Sequence, residues 1–412
     1  MSFIHIQSKS SLSSIARAFG PAWIVMIADV DVASIVTGIQ SGFAFGFHLI
    51  FIVMILTVPL ALIQYVAGSV AIHTQRGIAE NVRYHWGKSY SYLAAIPMAT
   101  TDFLSYVAEY AGIAIGFGLL GINPTIGIIM AFILHNILVL TRSFKKIELP
   151  LIVISVILVI SFVIAAVLAH PDWYAVVTQG LSPLQPYGNK NYMYLVVANI
   201  GAVVMPWMIF YQAGAIVEKK VKRGSLHMHK WENIIGALVS ELIMAAIIIA
   251  SSSLGGHGMV SLDTIPKIMS FAGEYLKFVI AIGFIAAGFL ALVVISLSSA
   301  WGVCEALNVK FRFNEGYKNR KSFFVIFYLE SFPALILTLL AVSNLISLMI
   351  NLMVIYVLID IPVLMMTGLI VKKEGFIGKR YISKKTMIFF WIFFIIIEVM
   401  GIYSIALNGF PI

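Results

Sequence analysis

Long apolar runs, many of them long enough to cross a lipid bilayer, recur along almost all of this 412-residue chain. Crossing roughly 30 Å of hydrocarbon takes about 20 predominantly apolar residues. Eleven runs qualify, at 20–41, 47–70, 93–118, 125–141, 149–169, 193–215, 234–254, 276–303, 324–344, 347–371 and 387–408. The connectors between them are brief and polar. We therefore predict an all-α membrane protein with about 11 transmembrane helices, forming one domain over residues 1–412.

The composition supports a lipid environment and excludes several kinds of site. Only 11% of the residues are charged and 61% are hydrophobic, whereas soluble domains carry roughly 25% charged residues. The single cysteine, Cys304, excludes an internal disulfide and a multi-cysteine metal site. Residues 1–18 are polar and contain no apolar segment, so we expect no cleaved signal peptide.

The distribution of Lys and Arg predicts the orientation in the membrane. Alternate connectors hold 24 of the 27 basic residues, and the opposite set holds only Lys190, Lys267 and Lys277. Because basic connectors stay in the cytoplasm, we predict a cytoplasmic N-terminus, an external C-terminus and a plasma-membrane location. This asymmetry, together with attraction to anionic lipid, accounts for the net charge of +9 without nucleic-acid binding.

Acidic residues inside the predicted spans are the next distinctive feature. They are Asp29, Asp31, Asp102, Glu109, Glu241, Glu330, Asp360 and Glu398. A charge at bilayer depth is costly and indicates function. Because no basic residue falls clearly in the middle of a span, these carboxylates favour a cation. The alternative is protonation or a position near a span end, which we favour for Glu330 and Glu398.

The stretch "IADVDVASIVTG" (27–38) places two of these carboxylates beside small residues. If the helix continues, Asp31 and Ser34 share one face. If the helix breaks, backbone carbonyls become free to bind a cation, as in transporters with discontinuous helices. Both possibilities stay open on this stretch alone.

A second interruption is predicted in "ANIGAVVMPWMIFYQAG" (198–214), where Pro206 lies in mid-span. Proline lacks the backbone N–H and clashes with the preceding turn, so carbonyls around Ala202 are freed beside Met205. A simple kink is the alternative. Interruptions at corresponding places in two halves of a transporter indicate a midplane site between inverted repeats.

Six motifs along the chain resemble the Nramp family of divalent-metal transporters. "GPAWIVMIADVDVASIVTGIQSG" (20–42) resembles the family's first span, with its Asp-Pro-Gly-Asn signature, and "GAVVMPWMIFYQ" (201–212) its sixth, with Met-Pro-His. The others are "LIQYVAGSVAIHTQRGIAENVRYHWG" (62–87), "AEYAGIAIGFGLLGINP" (108–124), "AHPDW" (169–173) and "AAG" through "WGVCEALN" (286–308).

The resemblance implies a fold and a ligand set. The fold is the 5+5 inverted-repeat (LeuT-like) fold, with helices 1 and 6 broken, repeats at about 20–169 and 193–371, and an extra helix at about 387–408. The implied metal ligands are Asp31, Ser34 in place of the signature asparagine, Met205, and the backbone carbonyls of Ala28 and Ala202. Pro206 marks the break in span 6.

Departures from the family pattern concern helix breaking and proton transfer. Val32 and Ala33 replace the signature Pro-Gly, Trp207 and Gln212 replace two histidines, and Tyr106 replaces an aspartate. Since the missing groups belong to the family's proton route, proton coupling stays open, with Glu109 and Asp102 as a substitute path. Asp29 lies outside the pattern, and we assign it to the outer shell of the site or to a helix end.

The donor chemistry predicts the ion. Because the Met205 thioether is soft while magnesium and calcium prefer oxygen, we expect manganese or iron, carried by alternating access. Ser34 leaves room for water, so a magnesium or broad divalent carrier without proton coupling is the alternative.

Other classes of function fit less well. The same fold carries amino acids and other organic solutes, but an acidic first span disfavours an anionic substrate group there. No His-Glu-x-x-His or Gly-x-Ser-x-Gly motif indicates an enzyme. We expect no cofactor beyond the transported ion and no obligatory protein partner; the lipid bilayer is the surrounding medium.

Overall fold

The computed structural model describes residues 20–140, 144–253, 255, 274–309, 321–340, 345–377 and 382–409. The first part of the chain forms α1 (Pro21–Ala28), α2 (Val32–Phe45), α3 (Ile50–Thr74), α4 (Ile78–Trp86), α5 (Lys88–Leu119), α6 (Pro124–Val139), α7 (Phe144–Leu168) and α8 (Trp173–Gly180). The second part forms α9 (Lys190–Val203), α10 (Pro206–Lys219), α11 (Leu226–Ser252), α12 (Glu274–Leu307), α13 (Lys321–Leu340), α14 (Leu345–Ile359), α15 (Ile361–Lys373) and α16 (Lys384–Asn408).

Nine of these helices or helix pairs are long and apolar enough to cross a membrane, counting the bent pair α1–α2 as one span. Two predicted spans fall outside that set. The helix α5 has 32 residues but carries Asp102 and Glu109, and α6 has only 16 residues. Each predicted span does coincide with a helix or helix pair, but the count of eleven and the repeat boundaries stay predictions.

The predicted tenth span, 347–371, coincides with the apolar span Met349–Lys373, within which the structure separates α14 from α15 at Asp360. Pro362 lies in the first turn of α15. Its missing N–H and its clash with the preceding turn interrupt the hydrogen-bond ladder that a continuous helix needs.

The two predicted broken spans lie at the centre of the helix bundle. In the most apolar part of Lys190–Lys219, 94% of the residues are buried, against 28% in that of α16, which therefore lies at the periphery. Small residues allow close approach at the centre, as in other membrane bundles. A side chain on Gly112 of α5 would overlap Val32, and one on Gly201 of α9 would overlap the Met353 carbonyl. These two glycines let α5 and α14 lie directly against the interrupted helices.

Candidate metal site at the two helix breaks

The first break separates α1 from α2 and bends the chain by 48°. Asp31 is the N-cap of α2, with extended backbone angles (φ −77°, ψ 179°), and its Oδ1 accepts a hydrogen bond from the Ser34 amide at 2.8 Å. Aspartate is among the preferred N-cap residues because its carboxylate satisfies a free amide of the first turn. Thus the chain begins a new helix here although Val32 and Ala33 occupy the signature Pro-Gly positions.

A distant carboxylate stabilises the same break. The Val32 amide, which would bond the Ala28 carbonyl in a continuous helix, donates instead to Glu109 Oε2 on α5 at 3.2 Å. The Ala28 carbonyl therefore loses its usual helical partner. This is one of the two carbonyls that the family resemblance implies as metal ligands.

The second break lies between α9 and α10, where Met205 has extended backbone angles (φ −120°, ψ 142°) and Pro206 begins the next helix. Ala202 is four residues before Pro206, so no backbone N–H is present to bond its carbonyl. The predicted interruption at Pro206 is confirmed. It is milder than the first break, since Lys190–Lys219 still counts as a single 30-residue span.

The Ser34 hydroxyl joins the two breaks. Its Oγ lies 2.9 Å from the backbone oxygen of Asp29 and 3.2 Å from that of Ala202, and it shares its one proton between them. The Ser34 side chain is 1% exposed. The hydroxyl thus contacts both interrupted helices and keeps its own lone pairs for a further partner.

The remaining predicted ligands surround this contact. The Met205 sulphur accepts a hydrogen bond from Trp207 Nε1 at 3.2 Å. Asp31 Oδ2 and Glu109 Oε1 are buried and have no hydrogen-bond partner among the described residues. Buried carboxylate oxygens without partners are energetically costly, and a cation between them would relieve that cost.

Basic side chains do not supply that neutralising charge in the described part of the chain. The ion pairs recorded there are Arg76–Glu374, His85–Glu374 and Lys219–Glu148. None of them includes Asp31 or Glu109. Nor do the described residues hold a group of three or more His, Cys, Asp or Glu side chains suited to a metal. The ligands that the resemblance implies are of other types: one carboxylate, one hydroxyl, one thioether and two backbone carbonyls.

The residues assigned to an outer shell or a proton path separate into distinct groups. Tyr106 donates to Ser296 Oγ at 2.7 Å, and Ser296 also lies 2.7 Å from His135 Nε2. Gln212 donates to Asn233 Oδ1 at 3.3 Å, on α11. Tyr106 and Gln212 therefore belong to separate polar networks, one among α5, α6 and α12 and the other between α10 and α11.

Asp102 groups with Glu330 of α13, whose Oε1 accepts a hydrogen bond from Ser299 at 2.7 Å. Tyr356, to which the sequence assigned no role, interacts with both Asp102 and Glu109. Tyr356 Oη donates to the Thr101 carbonyl at 3.0 Å and interacts electrostatically with Asp31, Asp102 and Glu109. No motif distinguishes it, since a tyrosine in an apolar span is usually a packing residue.

Comparisons with known proteins agree with this architecture. A model of the Nramp family, described as natural resistance-associated macrophage protein-like, matches residues 22–407. A protein named divalent metal cation transporter MntH, from Agrobacterium fabrum, is 26% identical over 293 residues, which cover 67% of this chain and 63% of that protein. The match thus spans somewhat less than two thirds of that relative's length.

Two solved structures share the fold. The manganese transporter of Eremococcus coleocola superposes with a TM-score of 0.76 at 16% identity, covering 98% of this chain and 88% of that one. Mhp1, a nucleobase-cation-symport-1 family transporter, gives 0.59 at 14% identity, covering 96% and 91%. At these identities the likeness concerns the fold alone, and it confirms the predicted LeuT-like architecture.

Proposed function

This chain belongs to the Nramp family, and on that premise we propose that it carries divalent transition-metal ions, of the Mn²⁺ or Fe²⁺ kind, across a membrane. The ion binds at the bilayer midplane between the break of α1–α2 and that of α9–α10. The proposed ligands are Asp31, Ser34, Met205 and the backbone carbonyls of Ala28 and Ala202.

The observation that carries the proposal is the contact of the Ser34 hydroxyl with the Ala202 carbonyl, at 3.2 Å. Asp31, whose carboxylate caps the Ser34 amide, has a buried oxygen without a hydrogen-bond partner among the described residues. Polar groups of two helix interruptions, far apart in sequence, therefore contact each other inside an apolar helix bundle. Free carbonyls at such interruptions are what discontinuous transporter helices offer to cations.

The donor types favour a transition metal over magnesium. Asp31 supplies charge, while the Met205 thioether is a soft donor that manganese and iron accept more readily than magnesium or calcium do. Its weak hydrogen bond from the Trp207 indole holds the sulphur in place near the break. A bound ion would replace that bond with coordination.

The proposed mechanism is alternating access. The ion enters from outside, loses much of its water to Asp31, Ser34, Met205 and a freed carbonyl, and leaves inward as the interrupted spans α1–α2 and α9–α10 tilt against the other helices. Because Ser34 bonds both breaks directly, an ion that takes its hydroxyl oxygen and the Ala202 carbonyl replaces the contact that holds the two interrupted helices together.

We further infer a multi-pass plasma-membrane protein with its N-terminus in the cytoplasm, because 24 of the 27 basic residues fall in one set of connectors. It acts as a carrier, not an enzyme, with the metal as cargo, no resident cofactor and no obligatory protein partner. Coupling to protons stays a separate question, since Trp207 and Gln212 occupy the family's histidine positions.

The decisive experiment measures Mn²⁺ and Mg²⁺ uptake into proteoliposomes while recording internal pH. Met205→Ala is compared with wild type and with Met98→Ala, an equally buried methionine that packs against Gly302. The proposal expects Met205→Ala alone to lose the preference for Mn²⁺. Equal transport of both ions, unchanged by Met205→Ala, would establish the broad divalent carrier instead. Competition of uptake by amino acids would support an organic-solute transporter.

A further inference from the structure

A second pair of buried carboxylates adjoins the first break and takes no part in the ligand set described above. Asp29 follows the last residue of α1 and is 2% exposed, and Glu241 lies in the middle of α11 and is 0% exposed. Asp29 is outside the family's signature. The family resemblance therefore assigns no metal ligand to this pair.

The contacts of this pair leave most of its oxygens without partners. Asp29 Oδ2 accepts a hydrogen bond from Ser240 Oγ at 2.9 Å. Asp29 Oδ1 and both oxygens of Glu241 have no hydrogen-bond partner in the part of the chain that the structure describes. Ser240 and Glu241 are neighbours in α11, and each interacts with Asp29 at the end of α1.

Glu109 and Glu241 reach the break from different helices, α5 and α11. Asp31 and Glu109 interact electrostatically with one another, toward α5. The strongest charge interaction of Asp29 is with Glu241, and that with Asp31 is weaker. Acidic groups of two helices, Glu109 of α5 and Glu241 of α11, thus interact with the carboxylates at the break.

We propose that Asp29, Ser240 and Glu241 form a second cation site, built only from oxygen donors and suited to a hard divalent cation. Two adjacent buried carboxylates repel each other and have lost their hydration. The recorded ion pairs among described residues bring no basic group to them. A divalent ion between them would neutralise both charges at once.

The chemistry separates this site from the one proposed for transport. Mg²⁺ and Mn²⁺ accept carboxylate and hydroxyl ligands, whereas a softer ion such as Cd²⁺ gains from the thioether of Met205. The inference rests on the proposed function only in that a metal ion must reach the midplane. The two sites can therefore be tested independently.

The test measures equilibrium binding of Mn²⁺ to the purified full chain in detergent. Titration calorimetry and radioactive Mn²⁺ give the number of ions bound per chain. Wild type is expected to bind two ions per chain. Glu241→Gln is expected to bind one ion. Ser240→Ala keeps both carboxylates but removes one oxygen donor and the hydrogen bond to Asp29, so it is expected to weaken the binding of one of the two ions about tenfold.

The matched control is Glu305→Gln, which alters a buried carboxylate that already accepts a hydrogen bond from the Glu80 amide at 3.3 Å. It should leave the stoichiometry at two. Thermal melting of each variant checks that it is folded. If Glu241→Gln fails to fold, Ser240→Ala decides the question alone.

The remaining outcomes separate this inference from the proposed function. The second site would be overturned if wild type bound one ion and neither Glu241→Gln nor Ser240→Ala changed that binding. If Met205→Ala then weakened the binding of this ion, the proposed transport site would still be supported. If Glu241→Gln lost a bound ion and Met205→Ala bound as wild type does, the second site would be supported and Met205 would be removed from the transport site. Cd²⁺ should remain bound in Glu241→Gln and weaken in Met205→Ala.

Discussion

The hydroxyl of Ser34 donates to the carbonyl of Ala202 across 3.2 Å, although the two residues are 168 positions apart in the chain. The contact is possible because Pro206 removes the amide that would otherwise bond Ala202, and because Asp31 begins a new helix at Val32. The carbonyl left free at the second break thus accepts a hydrogen bond from a side chain in the first turn after the first break. The same groups are the ones that a cation would use.

Removing that hydroxyl tests its role. We expect Ser34→Ala to reduce Mn²⁺ uptake strongly and to destabilise the fold by about 1–3 kcal/mol, since the buried Ala202 carbonyl loses a donor. Ser34→Asn, which restores the family's amide, should retain uptake. Uptake assays and thermal melting measure the two effects. Ser252→Ala is the control, because that hydroxyl donates to the Ile249 carbonyl of its own helix. Equal losses in both variants would show that the Ser34 hydroxyl has no specific role in uptake.

Asp31 has two functions that substitution can separate, because Asn and Asp are comparable N-caps. Asp31→Asn should keep the cap on the Ser34 amide and leave the melting temperature nearly unchanged. It should abolish metal uptake, because it removes the charge. Asp31→Ala should lose uptake and also about 0.5–2 kcal/mol of stability. Full uptake by a well-expressed Asp31→Asn protein would remove Asp31 from the ligand set.

Glu109 supports the first break through the Val32 amide. Glu109→Gln retains an acceptor for that amide, so we expect a stable protein with reduced metal affinity. Glu109→Leu leaves the amide unpaired, at a cost of about 1–3 kcal/mol. Denaturation and metal-binding measurements on both variants distinguish the effects. An unchanged melting temperature in Glu109→Leu would show that the break does not depend on α5.

Close packing of α5 against the first break should be sensitive to a single methyl group. The side chain in Gly112→Ala would overlap Val32, and overpacking of this kind costs about 1–3 kcal/mol. Val32→Ala, combined with Gly112→Ala, should recover part of that loss. A double-mutant cycle measured by thermal melting gives the coupling, and additive effects would mean that the two residues do not contact one another in solution.

Some features were determined by the sequence because their causes are local. Apolar runs of sufficient length specify membrane helices, and Pro206 interrupts its helix wherever that helix packs, because the missing N–H belongs to the proline itself. The motifs between 20 and 308 predicted the family and hence the fold. Pro362, two residues after Asp360, is a second local signal of the same kind, and a helix begins there.

Tertiary structure decided the rest. Val32 and Ala33 do not break a helix by themselves; the break depends on the Asp31 cap and on Glu109, whose carboxylate comes from 77 positions away. The grouping of Asp29 with Glu241 likewise depends on how α11 packs against α1. Helical hydrogen bonds join residues four apart and can be predicted from sequence, whereas a buried carboxylate takes its partner from whichever helix the packing brings beside it.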